Sequence, residues 1–344
     1  MERPQSAQST KPSVTILVPM YNEEAVLELF YAELNRVIET IPDIDFDYLF
    51  VDDGSRDASL SIVKNFAVND PRVGYLALSR NFGKERALLA GFDHARGDAV
   101  VVIDADLQDP PALIAEMIAY WRQGYQDVYA QRRSRQGETW MKRATSNAYY
   151  RLLQRVTRVE IQKDTGDFRL LDRACLDALT RFRESERNTK ALFSWIGFKK
   201  QAILFDRDPR AAGSTKFNYG RLINLALDGL TSFTTAPLRL SAVFGAIVSF
   251  AAFVYLLVVV IRALAFGSDA AGYPSLMAVI LFLGGVQLIS LGVIGEYVGR
   301  IFNETKRRPA YLVGESNLAG ESHHAGEQRD GRTGRDGEPQ QGGQ

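Results

Sequence analysis

The sequence is poor in the side chains that build many familiar active sites. Its 344 residues include one cysteine, Cys175, and three histidines. Neither an intrachain disulfide nor a zinc site made of thiolates can therefore form. His323 and His324 lie in a glycine-rich C-terminal segment. A histidine-dependent hydrolase or zinc site would have to depend on His94, so the sequence argues against both classes.

The sequence also lacks the common nucleotide fingerprints and any surplus of positive charge. Neither GxxxxGK[ST] nor GxGxxG occurs, which excludes a P-loop and a dinucleotide-binding turn. Lys and Arg number 41, as do Asp and Glu, giving a formal net charge of zero. A general nucleic-acid binder would carry a basic excess, so we expect no nucleic-acid partner.

Two long uncharged runs are present near the C-terminus. Residues 240–261 and 270–295 contain no charged side chain, and each run exceeds the roughly 20 residues that a helix needs to cross a bilayer. We predict transmembrane helices at 237–263 and 273–300. The polar N-terminus lacks the apolar core of a signal peptide, and residues 1–12 are predicted to be a disordered lead.

The rest of the chain divides by composition. Residues 13–216 are predicted to form the soluble domain. Residues 217–236 space apolar side chains at helical intervals, which indicates an interfacial amphipathic helix, with an ordinary core helix as the alternative. The glycine-rich residues 314–344 predict a disordered tail.

Basic residues flank the predicted spans unequally. Only Arg262 lies in the connection, whereas the outer flanks carry Arg221, Arg239, Arg300, Lys306, Arg307 and Arg308. The positive-inside rule therefore predicts an integral protein of the cytoplasmic membrane with both termini and the soluble domain in the cytoplasm. Glycines of the second run favour close helix packing, and hence a homo-oligomer, unless they simply face lipid.

Strand-like and helix-like segments alternate along the soluble domain. Apolar runs at 14–18, 48–51, 73–78 and 99–103 are separated by segments of helical length. Continuous β-branched runs are typical of strands buried on both faces. The order predicts an α/β fold with a doubly wound, mostly parallel sheet, whose ligand site lies beyond the carboxyl ends of the strands.

An acidic pair follows the most apolar of these runs. Asp104 and Asp106, one residue apart in DADLQDPP, can share a hard divalent cation that bridges a diphosphate. Two aspartates at this spacing, with no other signal, more often belong to a solvated acidic turn. The position of this pair at a strand end and the presence of a second acidic site favour metal binding.

The second acidic site is VDDGS, with Asp52 and Asp53. Both carboxylates are able to accept hydrogen bonds from a base or a ribose hydroxyl. The alternative is an Asx turn that caps the next helix.

Two basic clusters and one motif with both an acidic and a basic residue are further candidates for the functional site. One cluster contains Arg132, Arg133, Arg135, Lys142 and Arg143, and a second contains Arg210, Ser214, Thr215 and Lys216. Guanidinium groups suit phosphate oxygens, although attraction to lipid headgroups is the alternative. Asp167 and Arg169 in TGDFR present a carboxylate and a cation together, or form a local salt bridge.

Together the motifs VPMYNEE, VDDGS, SRNFGKERALLAG, DADLQDPP, TGDFRLLDR and GSTKF resemble family 2 glycosyltransferases with a GT-A (Rossmann-like) fold. Two C-terminal spans ending in GEYVGRIF make the chain similar to polyprenyl-phosphate glycosyltransferases, most of all the bactoprenol glucosyltransferases. Dolichyl-phosphate mannose synthases and bacterial aminoarabinose transferases are relatives. The resemblance covers residues 13–313.

The resemblance implies roles for individual residues. Asp104 and Asp106 would hold Mg²⁺ or Mn²⁺ and the diphosphate, with Gln108 as a further ligand. Asp167 matches the carboxylate proposed as a base in relatives. Contacts with the nucleotide sugar would come from Pro19, Tyr21, Glu23, Asp52 and Asp53, and contacts with donor or acceptor phosphates from Arg132, Arg135, Arg210, Ser214 and Lys216.

The implied reaction is inverting transfer of a hexose, with glucose from UDP-glucose favoured, to undecaprenyl phosphate. A phosphate monoester has a second pKa of about 6 and is largely deprotonated at neutral pH, so Asp167 has little proton to remove and is expected to orient cationic groups instead. Alternatives are another sugar (mannose, GlcNAc or aminoarabinose) or an inactive membrane scaffold. A processive synthase is disfavoured because no Arg-Trp pair occurs.

Overall fold

The computed structural model describes residues 11–133, 165–185, 187–205, 236–266 and 272–318. Its strands are β1 Ser13–Met20, β2 Asp45–Asp52, β3 Val73–Leu78, β4 Ala99–Val102, β5 Asp127–Arg132, β6 Thr165–Asp172, β7 Lys200–Phe205 and β8 Val313–Ser316. Its helices are α1 Leu27–Ile38, α2 Ser59–Asn69, α3 Lys84–His94, α4 Leu113–Arg122, α5 Arg173–Leu179, α6 Thr189–Trp195, α7 Ala236–Phe266 and α8 Tyr273–Thr305.

The strands form one eight-stranded sheet in the order β7-β5-β6-β4-β1-β2-β3-β8. β4, β1, β2 and β3 are parallel neighbours, as are β5 and β7. β6 runs antiparallel to both β4 and β5, and β8 runs antiparallel to β3. The predicted α/β class and the doubly wound parallel centre are confirmed, within a sheet that is mixed as a whole.

Both faces of the central strands are buried, which explains their continuous apolar runs. In β1, Ile16 and Val18 belong to the core on one face, where Phe30 of α1 packs. Leu17 belongs to the core on the other face with Leu88 of α3. Alternate side chains of one strand therefore contribute to two separate cores.

The ordered domain extends beyond both predicted limits. Pro12 precedes β1, yet its carbonyl accepts a hydrogen bond from the Asp45 backbone (3.0 Å). At the other end, β8 pairs with β3, so the predicted tail start at residue 314 is wrong and the soluble domain includes a segment after the last helix. The short, polar sequence VGES carries no strand signal of its own, and its pairing partner is distant in the sequence.

Two long helices, α7 and α8, lie between β7 and β8 and contact each other. Among the described residues, Phe282–Thr305 is long and apolar enough to cross a membrane, whereas Leu240–Tyr255 is a shorter apolar stretch. The chain therefore has a helical segment suited to membrane association. Of the predicted interfacial segment 217–236, residues 217–235 lie outside the described residues and Ala236 begins α7.

Candidate active site

The loops that follow β1, β2, β3 and β4 surround a cavity of about 270 Å³ at the carboxyl ends of the strands. This is the position expected for a ligand site in a doubly wound sheet. Among the predicted site residues, those lining the cavity are Pro19, Tyr21, Glu23, Asp53, Asp104 and Asp106, and they are joined by Asn81 and Lys84.

Hydrogen bonds between loops fix the first wall of the cavity. Asn22 adopts a left-handed backbone (φ 56°), which Asn tolerates better than most residues. Its side-chain oxygen accepts from the Arg56 backbone (2.8 Å), while its own N–H donates to Ser55 (3.0 Å). The Glu23 N–H donates to Ser59 (2.8 Å). These contacts hold the loop carrying Glu23 against the loop that follows β2.

Asp52 and Asp53 both serve the backbone around them. Both Asp52 oxygens lie 3.2 Å from the Ser55 N–H, as in the predicted Asx turn. Asp53 accepts from the N–H groups of Phe82 (2.7 Å) and Gly83 (2.9 Å). Burial raises the pKa of both carboxyl groups, while these hydrogen bonds oppose the rise. Asp53 thus connects the β2 loop to the start of α3 and still lines the cavity.

Gly54 permits this close approach of two loops. It has φ of +70°, and a Cβ at this position would lie 2.5 Å from the carbonyl carbon of Arg80. No larger residue fits without moving the loop after β3.

Four carboxylates, those of Glu23, Asp53, Asp104 and Asp106, line the cavity and concentrate negative charge there. Burial, and then the charges of Asp106 and Asp104, raise the pKa of Glu23. Burial also raises the pKa of Asp104. Asp106 is oriented by the Gln108 N–H, which donates to its Oδ1 (3.1 Å). The side chains of Asp52 and Gln108 are buried and are not part of the cavity lining.

The donor chemistry of this cluster fits a hard divalent cation. Carboxylate oxygens are the ligands that Mg²⁺ and Mn²⁺ prefer, and Mg²⁺ usually takes one or two carboxylates and completes its shell with water and substrate phosphates. No group of three His, Cys, Asp or Glu in the described part of the chain forms a complete metal cage. Asp104 and Asp106 therefore suit a metal that is bound together with a phosphate ligand.

Lys84 is the functional candidate that the sequence analysis missed. Its ammonium contacts both oxygens of Asp104 (2.6 and 2.7 Å) and Oδ2 of Asp167 (2.7 Å). Burial favours the neutral amine, but attraction to the two carboxylates outweighs burial and raises the pKa of Lys84. The only signal was its place in SRNFGKE, at the first position of the helix after a strand.

Asp167 lies on β6, in contact with Lys84, and is 9% exposed. Burial alone would raise its pKa, but Lys84 and Lys190, the latter 3.7 Å from Oδ1, outweigh burial and lower it. Its buried Oδ1 accepts no hydrogen bond from the residues that the structure describes. Arg169 does not pair with it and instead contacts Asp127 (3.1 Å).

The predicted phosphate-binding residues are mostly not described. Arg132 ends β5, next to β7. Arg135, Arg210, Ser214 and Lys216 lie outside the described residues.

Comparison with known proteins defines the class. Residues 15–180, which carry this cavity, match the model described as Glycosyl transferase family 2. A glycosyltransferase of Synechocystis sp. is 48% identical over 302 residues, which cover 88% of this chain and 95% of the relative. The chain belongs to family 2 of the glycosyltransferases and is an enzyme, which confirms the resemblance drawn from its motifs.

The C-terminal helices match a more specific group of glycosyltransferases. Residues 236–301 match the model described as GtrB C-terminal hairpin. A prophage-derived bactoprenol glucosyl transferase of Shigella flexneri is 42% identical over 304 residues, covering 88% of this chain and 98% of the relative. Among solved structures, glucosyl-3-phosphoglycerate synthase of Mycobacterium tuberculosis with Mn²⁺ and UDP is 14% identical, with a TM-score of 0.44 over 66% of this chain and 82% of that chain.

Proposed function

We propose that this enzyme transfers a hexose, with glucose from UDP-glucose as the favoured donor, to undecaprenyl phosphate. The observation that carries the proposal is a carboxylate-lined cavity at the strand ends of a domain that is followed, after β7, by the two long apolar helices α7 and α8. Likeness to a bactoprenol glucosyl transferase over nearly the whole chain supports the lipid acceptor.

In this proposal Asp104 and Asp106 hold Mg²⁺ or Mn²⁺, and Gln108, expected as a further ligand, instead orients Asp106 through its backbone N–H. The metal, when bound, neutralises charge that develops on the departing nucleoside diphosphate. Pro19, Tyr21, Glu23 and Asp53 line the space for the nucleotide sugar, and Asp52 shapes the adjoining turn. Arg132, Arg135, Arg210, Ser214 and Lys216 are proposed to bind donor or acceptor phosphates.

Asp167 is proposed to position groups rather than to act as a base. Its lowered pKa lies far below the value of about 6 for the acceptor phosphate, so a proton on that phosphate would not pass to Asp167. The phosphate oxygen itself attacks the anomeric carbon as the bond to the diphosphate breaks. Direct displacement inverts the configuration and gives a β-linked product from an α-linked donor.

Membrane attachment is part of the same proposal. We infer two spans, along α7 and α8, with the catalytic domain and both termini in the cytoplasm. Donor and lipid then meet at one surface, which lowers the entropic cost of bringing them together. Glycines along α8, such as Gly292 and Gly295, support a homo-oligomer.

A transfer assay tests the proposal. Membranes containing the protein would receive undecaprenyl phosphate and, separately, labelled UDP-glucose, UDP-GlcNAc, GDP-mannose or UDP-aminoarabinose, with and without EDTA. We expect label from UDP-glucose in the lipid phase, loss of transfer with EDTA, and recovery with Mn²⁺. Transfer from a different donor would correct the sugar, and no transfer by folded protein would favour the inactive scaffold.

A further inference from the structure

Lys84 combines three features that a purely structural lysine would not need. Its ammonium bridges Asp104 of the proposed metal pair and Asp167 of β6. Its side chain remains 43% exposed and lines the cavity. It also begins α3, where the partial positive charge of a helix N-terminus disfavours a cation.

We propose that Lys84 is a positioning residue that competes with the divalent metal for Asp104 and links donor loading to Asp167. The inference rests on the proposed metal-dependent transfer. Asp104 accepts from Lys84 with both oxygens, so a metal that binds either oxygen meets the ammonium as a competing positive charge. The ammonium still has Asp167, 2.7 Å away, as its second partner.

Charge explains why such a competitor is useful. Glu23, Asp104 and Asp106 line one cavity, and Asp167 contacts Lys84 beside it. Like charges at short range repel strongly when partly removed from water. Lys84 offsets this repulsion while no metal is bound. When a divalent cation and an anionic diphosphate enter together, the released ammonium adds positive charge beside the anion.

Metal binding and turnover test this role separately. Purified full-length wild type, Lys84→Met and Lys84→Arg would be titrated with Mn²⁺ without nucleotide, with free Mn²⁺ followed by electron paramagnetic resonance. Removal of a competing charge at this distance is expected to tighten Mn²⁺ binding to Lys84→Met by about tenfold or more. Lys84→Arg, which keeps the charge, is expected to stay near wild type.

Turnover should move in the opposite direction. Lys84→Met is expected to lose at least about tenfold in kcat/KM for the donor, because Asp167 and the diphosphate lose their shared cation. Lys64→Met is the matched control, since Lys64 pairs with Glu315 (2.7 Å) at the β8 edge, and it should change neither measurement. Thermal unfolding of each variant shows that it is folded.

The outcomes separate this inference from the proposed function. Folded Lys84→Met that binds Mn²⁺ with wild-type affinity would overturn the competition, while leaving the metal-dependent reaction intact. The titrations are repeated with UDP, whose diphosphate supplies the remaining ligands. If neither wild type nor Lys84→Met binds Mn²⁺ in the presence of UDP, the metal assignment fails and the inference fails with it. Tighter binding with weaker turnover, reversed by Lys84→Arg, supports it.

Discussion

Single side chains at the cavity divide into those that bind the neighbouring loops and those that face the ligand space. Asp52 lies with both oxygens near the Ser55 N–H and is buried away from the cavity, whereas Asp106 accepts one N–H, from Gln108, and lines the cavity. The acidic motifs were visible in the sequence because their residue types and strand-end positions carry the signal. The bridging role of Lys84 was not, because it depends on where the first turn of α3 points.

Asp106→Asn tests the metal pair. We expect turnover to fall at least about 10²-fold, since metal stabilisation of the leaving group contributes several kcal/mol. Thermal unfolding should stay unchanged. Asp177→Asn is the control, because Asp177 is 63% exposed on α5. Full activity of Asp106→Asn in Mg²⁺ buffer would refute the assignment.

Arg169 is predicted to stabilise the fold rather than to bind substrate. It is 1% exposed, pairs with the fully buried Asp127, and stacks on Phe193 (3.6 Å). Arg169→Met should lower the free energy of unfolding by about 3 kcal/mol, because Lys200, at 4.0 Å, is then the one cation that the described part of the chain brings to Asp127. Chemical denaturation measures this.

A paired substitution provides the control for that prediction. Asp127→Leu combined with Arg169→Met removes both buried charges and should recover much of the lost stability. A double variant less stable than Arg169→Met would contradict the ion-pair explanation.

At the scale of elements, the parallel strands could be predicted because each is a continuous apolar run buried on both faces. β8 could not be predicted, because its four residues resemble the polar, glycine-rich segment that follows. They form a strand because they pair with the edge of β3. Glu315 of β8 accepts from Tyr75 (2.9 Å) and pairs with Lys64. The segment after α8 therefore forms the edge strand of the sheet, next to β3.

Truncation after Leu312 tests the contribution of β8. It removes the β8 ladder and exposes the edge of β3, and we expect Tm to fall by at least about 5 °C. Truncation after Leu318, which keeps β8, should leave Tm unchanged. Equal Tm values for the two truncated chains would show that β8 contributes nothing.

At the scale of the whole molecule, the apolar helices are proposed to attach the catalytic domain to the membrane. α7 and α8 were predicted as helices from composition alone, and the structure places them at Ala236–Phe266 and Tyr273–Thr305. Their orientation across a bilayer is predicted from the unequal distribution of basic residues, since the positions of Arg and Lys, rather than the fold, determine orientation.

Cysteine labelling tests the two-span topology. Cys175 is the only cysteine in the sequence and is buried, so Cys175→Ser provides a thiol-free background. With Ser268→Cys in the connection between α7 and α8, we expect an impermeant maleimide to label intact spheroplasts. Arg308→Cys should react only after permeabilisation. Labelling of both, or of neither, before permeabilisation would contradict two spans with cytoplasmic ends.

The anomeric configuration of the product tests the central claim most directly. Undecaprenyl phosphate and ¹³C-labelled UDP-glucose would be incubated with the purified enzyme and Mn²⁺, and the glycolipid analysed by NMR. Direct displacement at the Asp104–Asp106 site predicts β-linked glucose on the lipid phosphate. An α-linked lipid, or release of free glucose without lipid product, would contradict the account.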